Sequence, residues 1–163
     1  MNDDGGRVPD EVWLKQLEGE WTYETECGTR PDGTPQTMSG TESVRALGTF
    51  RTVAENRCPA HDGSPEMVSI ITLGRDAARG RFIGTFVSSC MAHLWPYDGA
   101  LDETGRKLSL DSQGPSLSGG EGIDKYRDVI EIESPDRRTL RALVLEPDGG
   151  WREFMTSRYR RTS

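Results

Sequence analysis

The sequence predicts an all-β fold, a single antiparallel barrel of about ten strands entered by one short helix. Three observations predict it. Runs of period-two alternation recur at roughly the 8 to 12 residue spacing of a sandwich or barrel. Turn-forming Gly, Pro, Asp and Ser clusters separate most of those runs. The composition, with 19 Gly, 29% charged and only 33% hydrophobic residues, suits short strands joined by polar turns better than packed helices. Closing the meander removes the unpaired edges an open sheet would expose. With 163 residues, one domain accommodates the whole pattern.

Residues 1–8 read as a disordered leader and 9–163 as the barrel domain. From Pro9 to Gly19 the signals are helical: Asp10 and Glu11 stand near the start, Val12 and Trp13 are followed at helical spacing by Gln16 and Leu17, and Gly19 is a stop. The period then becomes two. Trp21, Tyr23, Thr25 and Cys27 share one face, and Thr22, Glu24 and Glu26 the other, before the turn at Arg30-Pro31-Asp32-Gly33.

The next strand, Met38–Leu47, ends at Gly48, and Phe50–Arg57 runs toward Asp62-Gly63-Ser64-Pro65. Met67–Gly74 and Arg81–Cys90 flank Arg79-Gly80, while Ala92–Leu101 and Lys107–Leu110 flank Thr104-Gly105. Ser112–Gly122 is the longest structureless piece, either a lid at the barrel mouth or a plain connection. Lys125–Glu133, Thr139–Glu146 and Trp151–Arg160 complete the set, separated by Ser134-Pro135-Asp136 and Pro147-Asp148-Gly149-Gly150.

Charge and cysteine usage exclude several functions. A net charge of -7 argues against nucleic acid, whose binding draws on clustered Lys and Arg; the Arg158, Arg160, Arg161 group reads as a solvated strand end. No apolar run approaches the ~20 residues of a membrane helix, and the acidic, Gly-rich start has no signal-peptide core. Three cysteines without ligand spacing point to a reduced, cytoplasmic protein with no metal site and no cofactor. No Gly-x-Ser-x-Gly elbow or phosphate loop occurs.

The stretch from Phe82 to Tyr97 carries the chemistry. It reads as two extended segments meeting near Cys90 to Ala92, and on the second of them alternation puts His93, Trp95 and Tyr97 on one face. An imidazole titrates closest to neutral pH, and aromatic neighbours build the apolar walls of small-molecule pockets. His93 is thus either an acid or base or a satisfied buried residue. Glu42 shares its face with Gly40, Val44 and Ala46, so inward placement requires a partner, with Arg51, Arg57 or Arg127 as options; it is either a proton-transfer group or half of a structural ion pair. Tyr126 and Asp128 end an apolar strip that continues through Ile130 and Ile132, as at a barrel mouth. Trp151, Glu153, Met155 and Ser157 form a similar mixed face. Arg51, Val53, Glu55 and Arg57 read as the solvated face of their strand.

As an ordered set, Leu17-Glu18-Gly19-Glu20-Trp21-Thr22-Tyr23, Gly40-Thr41-Glu42-Ser43-Val44-Arg45, Ile71-Thr72-Leu73-Gly74, Phe82-Ile83-Gly84-Thr85-Phe86, His93-Leu94-Trp95 and Phe154-Met155-Thr156-Ser157-Arg158-Tyr159 resemble the bacterial domain-of-unknown-function family fifteen seventy-nine. The resemblance covers about Trp13 to Arg160 and implies a calycin-like barrel, related to lipocalins, fatty-acid-binding proteins and nitrobindins. Gly19-x-Trp21 is similar to the lipocalin GxW motif, implying a buried structural Trp21. No histidine follows His93, as a late axial haem ligand would require, and Arg158 and Tyr159 fall on opposite strand faces, unlike a fatty-acid site.

The expected function is a barrel holding a largely apolar or aromatic metabolite, with Trp95, Tyr97, Tyr126, Met155, Trp151 and Phe86 in the wall. The alternative is an isomerase, cyclase or hydrolase in which His93 works with Glu42 or Asp128 as general acid and base. A homodimer contact through Trp13 and its helix is a further expectation.

Overall fold

The computed structural model describes residues 9–60, 63–117 and 119–163. The 1–8 leader, part of the turn before Met67 and one position of the 112–122 segment lie outside the described residues. A helix, α1 (Asp10–Lys15), precedes ten strands: β1 (Gly19–Thr29), β2 (Pro35–Leu47), β3 (Arg51–Cys58), β4 (Met67–Asp76), β5 (Arg81–Ser88), β6 (Met91–Leu101), β7 (Lys107–Pro115), β8 (Ile123–Ser134), β9 (Arg137–Leu145) and β10 (Trp151–Arg161). Every strand pairs antiparallel with its sequence neighbours, and β1 pairs with β10 to close the barrel.

Alternation decides the inner face, as the sequence predicts. On β1, Trp21, Tyr23 and Thr25 are buried; on β3, Thr52, Ala54, Asn56 and Cys58 point inward while Arg51 and Arg57 are exposed. The fold departs from expectation at β7, which continues through Ser112 to Pro115 in register with Ile123 to Tyr126. Small residues there are packing rather than looseness. A Cβ on Gly114 would overlap the six-membered ring of Trp95, so the strand stays thin where β6 presents its largest side chain. The loop shrinks to the residues between Pro115 and Ile123.

One end of the barrel is plugged. Trp13 meets Phe82 edge to face with ring centroids 6.0 Å apart, and Trp13, Leu14, Leu17, Trp21, Leu108 and Leu110 share one buried cluster. Gly19 makes the turn from α1 into β1 at φ 124°, a backbone conformation that L side chains rarely adopt. The Trp21 indole N–H donates to the Leu17 carbonyl at 2.9 Å. Arg161 lies over the Trp21 ring at 4.2 Å and donates to the carbonyls of Gln16, at 2.8 Å, and of Glu18. Arg161 is therefore a latch rather than a solvated strand end, whereas Arg158 and Arg160 are exposed. Trp13, only 1% exposed, is packed into the plug.

Candidate functional site

The upper half of the barrel is hollow. Above the plug lies a cavity of about 280 Å³, walled by rings from Tyr23, Phe86, Trp95, Tyr97, Tyr126, Phe154 and Tyr159 and by Met38, Met67, Met91 and Met155. The strand alternation that fills the lower half with Leu and Trp continues upward, but the inward positions there carry flat or flexible side chains that leave a void. Trp95, Tyr126 and Phe154 stack edge to face along one side, at 5.1 and 6.1 Å between successive centroids.

The polar groups are few. Tyr97 donates from its hydroxyl to Asp128 Oδ2 at 2.5 Å, and both line the cavity. Asp128 has some accessible surface, which faces this space. Loss of hydration pushes its pKa up to about 6, against the lowering effect of the Tyr97 hydrogen bond. Burial, with the Asp128 carboxylate second, raises Tyr97 well above the usual phenol range. Burial likewise pushes Tyr23 up to about 12 and lifts Tyr159. All three phenols stay protonated near neutral pH.

On the facing wall Asn56, Ser69 and Ser88 stand opposite one another across β3, β4 and β5 and all line the cavity. Around the ring of strands β3 and β8 are diametrically placed, so this row confronts Tyr126 and Asp128. Thr25 and Ser157 satisfy each other at 2.6 Å. The Ser112 hydroxyl and the Trp95 indole N–H are buried with no hydrogen-bond partner among the described residues.

The barrel wall parts in two places near the mouth. The β6–β7 ladder runs only from Asp98↔Asp111 to Leu101↔Leu108. Above it, Trp95 covers the gap and His93 Nε2 is 3.2 Å from the Gln113 carbonyl, a side-chain tie in place of ladder bonds. The β1–β10 pairing stops at Glu26↔Thr156, and a second pocket of about 340 Å³ opens beside it, sharing Phe154 and Met155 with the cavity. The loop over the mouth is tied down: Tyr126 donates from its hydroxyl to the Pro115 carbonyl at 2.9 Å and accepts from the Leu117 N–H at 3.1 Å, which puts Leu117 over the cavity.

Of the residues expected in the site, Trp95, Tyr97, Tyr126, Asp128, Phe86 and Met155 line the cavity, and His93, Glu42 and Trp151 do not. His93 shares the inward face but stands a step beyond Trp95, its ring edge-on to the indole at 4.6 Å. Glu42 points inward below the cavity, 3% exposed, in an ion pair with the equally buried Arg138. None of the expected partners reaches it. Arg57 pairs outside with Glu55 and Glu66, Arg127 pairs outside with Asp111, and Arg51 is exposed. Arg138 also lies over Tyr159 at 3.9 Å and Trp21 at 4.6 Å, so the pair belongs to the floor.

Trp151 is displaced by a bulge. The β10–β9 register shifts between Glu153 and Met155, so Met155 and Ser157 face inward while Trp151, opposite Leu145, faces out beneath Arg127 at 4.3 Å. The same bulge turns Phe154 inward. Asn56, Ser69, Ser112 and Phe154 had no individual signal in the sequence. Asn56 was within reach, because reading Arg51, Glu55 and Arg57 as exterior puts it inside.

Two solved structures share the architecture. Rv2717c from M. tuberculosis matches at a TM-score of 0.64 and 12% identity, over 96% of this chain and 99% of its own. The S-type phycobiliprotein lyase CPES from Guillardia theta matches at 0.58 and 12%, over 97% of this chain and 96% of its own. At such identity the likeness is one of fold. No curated protein matches the chain. The sequence pattern of DUF1579, a family of proteins of unknown function, matches residues 9–161, and the chain belongs to that family.

Proposed function

We propose that the protein binds a small, largely apolar, ring-containing molecule inside the barrel. One observation carries this reading: a plugged barrel keeps an aromatic and Met-lined cavity of about 280 Å³ with only a few convergent polar groups. A protein selected only for stability would fill such space, because each void forfeits packing contacts. The test is titration with the neutral fluorophore N-phenylnaphthylamine, together with native mass spectrometry of the purified protein. Saturable one-to-one binding that weakens strongly in Phe86→Ala and Met155→Ala supports the reading; binding indifferent to both substitutions refutes it.

A catalytic reading has one observation in its favour, the Asp128 carboxyl with its pKa near neutrality beside Tyr97. Acid and base chemistry on one substrate asks for a second group poised near neutral pH. His93 is outside the lining, Glu42 is neutralised by Arg138, and the phenols are pushed upward, which favours binding over turnover. The three cysteines are free thiols, in keeping with a cytoplasmic site of action, and no helix of the described residues is long and apolar enough to cross a membrane.

A further inference from the structure

Among the described residues the cavity lining holds one carboxylate and no cation to match it. Among the described residues Asp128 is the only acidic side chain in the lining, and no Lys, Arg or His joins it there. Its Oδ2 accepts from Tyr97, a neutral donor, which leaves Oδ1 uncommitted, and it makes no ion pair with the described residues. A carboxylate removed from water is expected to have an ionic or multiply hydrogen-bonded partner. Here the space where that partner would stand is the cavity.

A second observation points to the same spot. Ser112, more than nine-tenths buried, also lines the cavity, and its hydroxyl has no partner among the described residues. The β7–β8 register pairs Ser112 with Tyr126 and Leu110 with Asp128, so Ser112 and Asp128 are diagonal neighbours on adjacent strands. Their oxygens can both accept from a single donor group lodged between them. Trp95, Tyr97 and Tyr126 line the same cavity, and the face of an aromatic ring attracts a cation.

We propose that the ligand is a protonated amine, an apolar, ring-bearing ammonium whose N–H groups are accepted by Asp128 and Ser112. This rests on the reading of the cavity as a small-molecule site and narrows it. It also excludes a class. A carboxylate or phosphate ligand would bring a second negative charge beside Asp128 with no cation among the described lining residues to offset it. The net charge of -7 acts in the same direction at longer range, drawing cations toward the protein.

The test compares three probes of one shape, naphthylmethylamine, methylnaphthalene and naphthoate, titrated into the intact chain near neutral pH and followed by tryptophan fluorescence and calorimetry. The amine is expected to bind at least about tenfold tighter than the hydrocarbon, with naphthoate weakest. Asp128→Asn should abolish the preference for the amine while methylnaphthalene still binds, and Ser112→Ala should reduce that preference several-fold. Equal affinity for amine and hydrocarbon in the wild-type protein, or a preference that survives Asp128→Asn, overturns the amine assignment and leaves the binding reading standing. Failure of all three probes to enter the cavity overturns both.

Discussion

Gly114 of β7 lies directly against the indole of Trp95 on β6, so close that a Cβ at position 114 would overlap the six-membered ring. The contact spans the part of the wall where β6 and β7 exchange no ladder bonds, so one bare backbone position and one large ring replace them. Gly114→Ala should push Trp95 toward the cavity. The expected outcome is a loss of about 1–3 kcal/mol of stability from overpacking, a change in tryptophan emission and weaker probe binding. Thermal unfolding and a fluorescence titration of the variant check it.

Asp128 should make stability depend on pH in an unusual direction. Its folded pKa, about 6, lies above the ordinary aspartate value of 3.8, so the native state holds the proton more tightly than the unfolded chain does. The contribution is most favourable below about pH 4, falls as pH rises toward about 6 and levels off above it. The groups facing it add no charge near neutral pH: Tyr97 from β6, Tyr159 from β10 and Tyr23 from β1 have raised pKa values, and β7 and β9 bring Leu110, Ser112 and Ala142. Asp128→Asn should therefore raise the stability of the ligand-free protein at neutral pH by about 1–3 kcal/mol and flatten this part of the profile. Urea unfolding of both proteins across the range gives the comparison.

Glu42 and Arg138 form a coupled unit in the barrel floor. Removing either partner leaves a buried charge alone, so Glu42→Gln or Arg138→Met should each cost about 3–5 kcal/mol. Replacing both with apolar residues should recover most of that loss, and a double-mutant cycle of unfolding free energies measures the coupling. Single losses that simply add would disprove it.

Tyr126 is expected to control access rather than affinity. Its hydroxyl holds both the Pro115 carbonyl and the Leu117 amide. Tyr126→Phe should speed hydrogen exchange at Leu117 and accelerate probe entry and exit by similar factors, leaving the equilibrium constant within about threefold, on the order of the ~1 kcal/mol that one hydrogen bond contributes. Stopped-flow mixing separates the two rates.

The architecture was legible in the sequence because the alternation on β1, β3, β6 and β8 has period two over many residues and the turns between strands are chemically marked. The same alternation brought Trp95, Tyr97, Tyr126 and Asp128 to one interior. What failed depended on partners far along the chain. Gly114 lacks a side chain because Trp95, on another strand, occupies the space. Trp151 faces outward because of a single bulge whose only trace is a shift in pairing with β9. Arg138 meets Glu42 across 96 positions of sequence, a pairing that face assignment within one strand cannot supply.

Closure of the wall depends on β1 meeting β10, with Trp21 opposite Arg161, and the guanidinium that secures the opening turn comes from that last strand. During synthesis the ribosome must extrude β2 through β9 before this latch exists. Throughout that interval the nascent chain presents two raw sheet margins and an unfastened amphipathic helix, which is when chaperone capture or off-pathway association would compete hardest with folding. The barrel is therefore sealed only once β10 has been made and its guanidinium reaches back to the indole of β1.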